Sequence, residues 1–125
     1  MEMLLAPKPF TQKLISGDSV VKAGQRRLWT ISVSPYMITP QLTGSFHASG
    51  GAGNDIQVVI AEASEFENWA NNHPANLDYS SDRTTNGTFT VQLKPGKKYV
   101  LAFDNGFSVL TEKVVTAEVE LHYLK

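Results

Sequence analysis

The chain has 125 residues, the length of one domain, and 42% of them are hydrophobic, which is enough to build a core. Charged residues make up 18%, and 11 Lys and Arg residues against 12 Asp and Glu residues leave a net charge of −1. This balance excludes wholesale disorder and offers no basic excess for binding nucleic acid. The chain has no cysteine, which excludes disulfides, thiol nucleophiles and cysteine-ligated zinc.

Residues 1–15 are predicted to form an N-terminal extension or an edge strand, and residues 16–125 a single domain. A secretory signal needs a basic start and a long apolar segment, whereas the apolar run Met3 to Ala6 is short and ends at Pro7. No run approaches the ~20 residues of a membrane span, so none is expected. We expect a cytoplasmic protein or, if the first Met was added to a mature chain, a secreted or periplasmic one.

A sequence period of two dominates the chain. Apolar residues alternate with polar ones in 27–34, 42–49 and 115–123, and β-branched residues are frequent in 56–60. Alternation of this kind is typical of strands with one buried and one solvated face. The segment 99–103 is nearly all apolar, which predicts a strand buried on both faces.

Turn residues separate these predicted strands. Asn86-Gly87 between the predicted strands 79–85 and 88–94 indicates a β-hairpin, because a type I′ turn needs positive φ at both central residues. The glycine-rich segment 50–54 is interpreted as a flexible strand connection, since it lacks the Lys-Ser/Thr of a phosphate loop. Many short strands with such turns predict an all-β protein, either an antiparallel β-sandwich or a small barrel. We expect the antiparallel β-sandwich, of jelly-roll type, with eight or nine strands.

One short helix is predicted near 64–72. Ser64 and Glu67 have the spacing of a capping box, which places the start of the helix at Ser64. The apolar residues that share one helical face are Phe66, Trp69 and Ala70. Trp69 is therefore interpreted as a plug that holds the helix down, with an exposed anchor as the alternative.

The titratable residues give weak signals for chemistry. His47 and His122 could share a polar strand face, but a metal needs three or four ligands, and we interpret both as surface residues. Asp55 and Asp104 could form a carboxylate pair for acid–base chemistry or calcium, or could cap local turns, and the absence of a calcium-loop pattern favours the turns. We predict no catalytic residue, no metal site and no cofactor.

The longest connection, from Ser64 to Tyr79, is predicted to border a partner-binding surface. Sandwich proteins carry recognition on the connections at their ends, and Asn and aromatic side chains are good contact groups. The residues predicted to bind the partner are Asn68, Trp69, Asn71, Asn72, His73 and Tyr79. Trp29 alternates with core residues and is expected to be buried.

The C-terminal half carries a longer motif. A Pro-Gly turn is followed by an aromatic-led strand that ends in Phe-Asp-Asn, then by an aromatic-Ser pair and by a Lys-Val-Val strand. The motif residues are Tyr99, Phe103, Asp104, Asn105, Phe107, Ser108 and Lys113. This pattern resembles the C-terminal half of a GOLD (Golgi dynamics) domain. The resemblance implies a β-sandwich that works by protein–protein contact without catalytic residues. The cysteine pair of the family's cargo receptors is absent, so a free-standing or bacterial member is expected.

We therefore predict a non-catalytic binding or adaptor module, not an enzyme, that contacts a protein partner. One alternative is a carbohydrate-binding sandwich with a glycan as partner, which needs two exposed coplanar aromatic rings. The other is a small metal-binding or enzymatic domain, which needs titratable groups that converge in a pocket. The oligomeric state is left open.

Overall fold

The computed structural model describes residues 6–50 and 53–125, which form two four-stranded antiparallel sheets and one helix. In chain order the elements are β1 (Pro9–Val21), β2 (Arg26–Ser32), β3 (Ile38–Ser49), β4 (Ile56–Glu62), α1 (Ala63–Ala70), β5 (Tyr79–Thr84), β6 (Asn86–Gln92), β7 (Lys98–Asp104) and β8 (Lys113–Leu124). The predicted antiparallel sandwich with one short helix is confirmed, with eight strands.

Sheet 1 has the strand order β1-β8-β3-β6, and sheet 2 has the order β2-β7-β4-β5. Every pair of neighbours is antiparallel. It follows that the β1–β2, β3–β4, β5–β6 and β7–β8 connections all lie at one end of the sandwich, which we call the upper end. The connections β2–β3 and β6–β7 lie at the lower end, where α1 also begins.

The core lies between the sheets and is built from the alternating apolar residues of both. A second, smaller cluster joins α1 to the outer face of sheet 2, where Val59 of β4 and Ala102 of β7 are fully buried. As a result β7 is buried on both faces, as predicted, because one face meets sheet 1 and the other meets α1.

The capping box predicted for Ser64 and Glu67 is wrong. The helix begins at Ala63, directly after β4, and its N-cap is Glu62, which makes no side-chain capping hydrogen bond. Since no loop residue separates strand from helix, the last residue of the strand takes the cap position and Ser64 lies within the first turn. The helix also ends at Ala70, two residues before the predicted end.

The predicted Asn86-Gly87 hairpin is also wrong. β5 belongs to sheet 2 and β6 to sheet 1, so the chain crosses the sandwich at this point, and the two residues begin β6. Gly87 lies opposite Phe46 of β3. A Cβ on Gly87 would lie 2.7 Å from Cζ of Phe46, so the glycine makes room for the ring rather than for a turn.

Two further predictions need correction or restriction. Trp29 is half-buried rather than buried, because β2 is an edge strand and one side of the indole has no neighbouring strand. The glycine-rich segment 50–54 lies between β3 and β4 as predicted, but residues 51 and 52 are outside the described part of the chain.

Candidate functional site

The β7–β8 connection at the upper end is fixed by one buried side chain. Asn105 is 0% exposed, and its Nδ2 lies 2.9 Å from the carbonyl oxygen of Thr111 and 3.2 Å from that of Val21. The backbone N–H of Asn105 also donates to the carbonyl oxygen of Gln25, and its own carbonyl accepts from the N–H of Gly24. These bonds fasten the β7–β8 connection to the turn between β1 and β2.

Local turns complete this fastening. Asp104 Oδ1 accepts a hydrogen bond from the N–H of Gly106 at 2.9 Å and lies 3.3 Å from Nε of Arg26. The Ser108 hydroxyl donates to the carbonyl of Thr111 and accepts from its N–H. The predicted role of Asp104 as a local turn cap is thereby confirmed.

Lys113 and Phe107 hold the other side of the connection. The Lys113 side chain is 4% exposed, and its Nζ lies 2.9 Å from Oδ1 of Asp55. The Arg83 guanidinium lies 4.1 Å from the centre of the Phe107 ring. Asp55 and Asp104 thus each have a cation of their own, and the alternative of a shared carboxylate pair is not what the structure shows.

The tip of this connection is exposed although its base is fixed. The side chains of Val109 and Leu110 are 87% and 91% exposed. Isolated exposed apolar residues are common on proteins, whereas here two consecutive ones lie at the tip of a loop whose base is fixed. We call residues Phe107–Thr111 the tip loop.

A groove of 590 Å³ lies beside the tip loop, between α1 and the first half of β2. Its lining residues are Gly24, Gln25, Arg26, Leu28, Phe66, Ala70 and Gly106. Leu28 is 50% exposed within it. Gly106, which lines the groove, directly precedes the tip loop in the chain, so the groove and the tip loop lie at the same end of the sandwich.

Three of the residues predicted to bind a partner lie at the C-terminal end of α1. Asn71, Asn72 and His73 are exposed and directly follow Ala70, which lines the groove. Asn68 is half-buried, and its carbonyl oxygen accepts from the N–H of His73 at 2.8 Å. The structure therefore brings these four residues together beside the groove.

Trp69 lies beneath this group and packs inward. It is half-buried, its ring centre is 5.6 Å from that of Phe66, and both rings belong to the cluster between α1 and sheet 2. The Arg26 guanidinium covers the indole at 4.9 Å. This arrangement is that of the plug rather than of the exposed anchor.

Tyr79 is separated from the other five predicted residues. Its ring lies 5.2 Å from that of Phe89 and packs against the core between the sheets, and burial raises the pKa of its hydroxyl. The pKa of Tyr99 is raised for the same reason, and its hydroxyl oxygen accepts from the N–H of Lys94. Both tyrosines contribute to packing.

The histidines do not form a site with each other. His122, on the outer face of sheet 1, is hydrogen-bonded to the hydroxyls of Thr11 and Thr43 at 3.0 and 2.9 Å, while His47 is exposed on the same sheet. Within residues 6–50 and 53–125 no three His, Asp or Glu side chains are placed to hold a metal ion.

One carboxyl group near the N-terminus of α1, that of Asp78, has a shifted pKa. The pKa of Asp78 is raised by burial and by the nearby charges of Glu62 and Glu65, while Lys94 acts in the opposite direction. These groups line a separate depression at the lower end of the sandwich.

Sequence reasoning missed the tip loop and Leu28. The available signal was the pair Val109-Leu110, which stands inside a connection that otherwise carries the turn-forming residues Ser108 and Thr111. For Leu28 the signal was its place in the 27–34 alternation, where it shares a face with the polar residues Thr30 and Ser32 rather than with the core residue Ile31. The motif residues Asp104, Asn105 and Phe107 lie close together in the structure, at the β7–β8 connection.

No protein-family model matches the chain, and no curated protein matches it. Among solved structures, a protein of Bacillus endospore appendages, described as disulfide-linked pili, superposes with a TM-score of 0.56 at 12% identity, over 98% of this chain and 96% of that one. The Yersinia pseudotuberculosis-derived mitogen gives 0.45 at 9% identity, covering 91% and 86%. The Aeromonas hydrophila periplasmic inhibitor of g-type lysozyme gives 0.43 at 9%, covering 100% and 93%.

These likenesses concern the fold. The superposition extends over nearly the whole length of both chains, so this chain and the endospore appendage protein share one β-sandwich architecture although their sequences are only 12% identical. No helix among the described residues has both the length and the apolar character needed to cross a membrane. The comparisons therefore place the chain among small all-β domains.

Proposed function

We propose that this chain is a non-catalytic protein-binding module that contacts its partner through the tip loop. The observation that carries the proposal is the exposure of Val109 and Leu110, at 87% and 91%, on a loop whose base is fastened by buried Asn105. Because the base of the loop is already fixed, binding should cost little backbone entropy there, and more of the free energy gained by burying the two side chains is retained as affinity.

The surroundings of the tip support a contact with protein. The groove beside it is lined by Leu28, Phe66 and Ala70 and by Gly106, which directly precedes the loop in the chain. Asn71, Asn72 and His73 follow on the helix side and supply polar groups at its border. An apolar centre with a polar border is the usual composition of a protein–protein contact surface.

We also propose that the fold is a jelly roll and that the chain is GOLD-like. The strand orders 1-8-3-6 and 2-7-4-5 support the first, since they come from one double-wound antiparallel ribbon. The grouping of Asp104, Asn105 and Lys113 around the tip loop supports the second, because the residues that carry the resemblance act together.

A glycan is a second candidate partner because two aromatic rings are accessible at the lower end. Phe10, which is 43% exposed, stacks on Tyr123 with ring centres 5.6 Å apart and planes at 14°. The rings lie one above the other, so a sugar would meet one face of the pair rather than two coplanar rings. A glycan array with wild type and Phe10→Ala tests this, and binding that requires Phe10 would replace the tip loop as the proposed site.

A structural role has to be considered as well. The endospore appendage protein belongs to disulfide-linked pili. The 125 residues of the present chain contain no cysteine, so they offer no disulfide of that kind.

The proposal is tested by replacing the two apolar residues at the tip of the loop with serine. Val109→Ser together with Leu110→Ser removes the apolar contact, and because both side chains are exposed the melting temperature should stay unchanged. Wild type and double variant are immobilised and exposed to an extract of the cells that encode the chain, and bound proteins are quantified by mass spectrometry. At least one protein should be retained by wild type and reduced about tenfold or more on the variant, the equivalent of about 1.4 kcal/mol.

Tyr36→Ser provides the matched control, since Tyr36 is 77% exposed but lies in the lower-end connection between β2 and β3. This variant should retain the same proteins as wild type. The proposal is overturned if the tip variant and wild type retain the same proteins in the same amounts.

A further inference from the structure

We infer that the free edge of β2 binds an extended, acidic peptide segment, which adds to sheet 2 as a fifth strand. The site differs from the tip loop and does not depend on it. Among residues 6–50 and 53–125, β2 is the terminal strand of sheet 2 and pairs with β7 alone. An edge strand presents every second backbone N–H and C=O to its open side, and these groups can pair with a peptide strand.

The edge of β2 is regular where two others are interrupted. All seven residues of β2 pair with β7 without a register shift, and none has positive φ. In β1 the register shifts between Lys13 and Ile15, and Gly17 has φ 110°. In β5, Asp82 has φ 54°. Bulges and reversed φ values block strand addition, so the edges of β1 and β5 are protected and that of β2 is open.

The edge of β6 is regular too, but it has little left to cover. Its core-facing side chains Phe89 and Val91 are already 5% and 6% exposed. On β2, by contrast, Leu28 is 50% exposed on the outer face and Trp29 is half-buried on the inner face. A strand added beside β2 would cover both, which adds apolar burial to the backbone hydrogen bonds.

The charges on β2 and β7 favour an acidic peptide segment at this edge. The paired strands β2 and β7 carry the cations Arg26, Arg27 and Lys98 and one carboxylate, Asp104, which lies beside Arg26. Arg27 stacks on Trp29 at 5.5 Å, so its guanidinium is already held at the edge. At this end Arg26 is already paired with Asp104, so among the described residues it is the charge of Arg27 that an acidic residue of an incoming strand would balance.

The register of β2 predicts the order of residues in the occupant. In an antiparallel addition, neighbours lie opposite one another, so two apolar residues face Trp29 and Leu28 and the next two residues face Arg27 and Arg26. The segment therefore reads, from its N-terminus, two apolar residues followed by two acidic ones. The outer apolar residue lies beside Leu28, at the mouth of the groove.

The test uses a synthetic peptide, fluorescein-labelled Ser-Thr-Thr-Ile-Val-Glu-Glu-Ser, and fluorescence anisotropy. It should bind saturably, and the same peptide with Lys-Lys in place of Glu-Glu should bind about tenfold more weakly. The charge-reversal variant Arg27→Glu should invert this preference. Arg27 is exposed, so the variant should fold, and the control Lys13→Glu on the β1 edge should leave both affinities unchanged.

Backbone pairing is tested on the peptide rather than on the protein. Alternate backbone N–H groups of the bound peptide point towards β2 and away from it, so methylating every second nitrogen removes the donors of one edge only. Methylation of the edge that faces β2 should abolish binding, and methylation of the opposite edge should not. The inference is overturned if neither peptide binds, if both patterns bind equally, or if Arg27→Glu leaves the preference as it was. Val109→Ser with Leu110→Ser should bind the peptide like wild type, so failure here and failure of the tip-loop proposal are separable.

Discussion

Two phenylalanine–glycine pairs set the spacing between β3 and β6 at the residue scale. Phe46 lies opposite Gly87, and Phe89 lies opposite Gly44, so each ring covers a glycine of the neighbouring strand. A Cβ at either glycine would enter the space of the ring. Aromatic rings that cover strand glycines are a known means of stabilising a sheet at positions with no side chain.

Gly87→Val should lower the free energy of unfolding by about 1–3 kcal/mol, because the added methyl groups compete with Phe46 in a filled core. Urea denaturation measures the loss. Thr88→Val is the matched control, since Thr88 is exposed on the same strand, and its effect should stay within about 0.5 kcal/mol. If the cost of Gly87→Val is the same in a Phe46→Leu background, the ring is not its cause.

Asn105 is the single residue on which the tip loop most depends. Asn105→Ala removes the donors that its Nδ2 supplies to the carbonyls of Val21 and Thr111, and leaves these acceptors without that partner. The free energy of unfolding should fall by about 1–3 kcal/mol, as expected for buried polar groups that lose a bond. Thermal and urea unfolding of the variant check this, and an unchanged stability would contradict the role given to Asn105.

At the scale of elements, α1 is held by its packing on sheet 2 and by Asn71 at its C-terminus, whose side chain donates to the Glu67 carbonyl, rather than by a side-chain N-cap. Its N-cap makes no side-chain bond, and its eight residues are too few for a helix that is stable alone. Phe66 and Trp69 cover Val59 and Ala102 instead. The stability of the helix therefore comes from one apolar face.

Trp69→Ala should cost about 2–3 kcal/mol, less than a fully buried Trp, because the indole is half-buried. The far-UV strand signal should persist, since Trp69 is not part of the cluster between the sheets. His73→Ala, at the exposed end of the same segment, serves as control and should change stability little. A Trp69→Ala loss as small as that of the control would mean that the ring does not act as a plug.

The connection between α1 and β5 gives the fold a pH dependence. The pKa of Asp78 is raised above its ordinary 3.8 by burial and by Glu62 and Glu65, so the folded state holds this proton more tightly than the unfolded chain. The free energy of unfolding should therefore fall as the pH rises from about 3.8 through the folded pKa.

Urea denaturation across this pH range, with wild type and Asp78→Asn, measures the effect. The variant should lose this component of the pH dependence and be the more stable of the two at neutral pH. Lys94→Met should enlarge the component, because Lys94 acts to lower the pKa of Asp78. A pH profile that Asp78→Asn leaves unaltered would contradict the assignment.

Strands and helices could be predicted where buried residues recur at a regular spacing along the chain. They could not be predicted where the structure depends on which segments become neighbours in space. Strands such as β3 and β8 were visible because alternate residues face the core. Asn86-Gly87 has the local chemistry of a hairpin, yet which sheet each flanking strand joins is a long-range choice that no local pattern contains. The exposure of Val109 and Leu110 could not be predicted for the same reason, because the sequence around an apolar residue does not show whether other parts of the fold will bury it.

At the scale of the whole molecule, the sandwich acts as a rigid support for its upper end. The β7–β8 connection is fastened to the β1–β2 turn through Asn105 and to the β3–β4 connection through Asp55 and Lys113. Residues next to strands of both sheets thus contribute to the position of one short loop.

Hydrogen exchange in the free protein tests most directly whether the tip loop is held in a fixed shape. The amides of Gly106, Ser108 and Thr111 donate to Asp104, to the Asn105 carbonyl and to the Ser108 hydroxyl. They should exchange at least about tenfold more slowly than in an unstructured peptide, and Asn105→Ala should remove this protection while the strands keep theirs. Exchange of these three amides at the unstructured rate in wild type would contradict a preorganised binding loop.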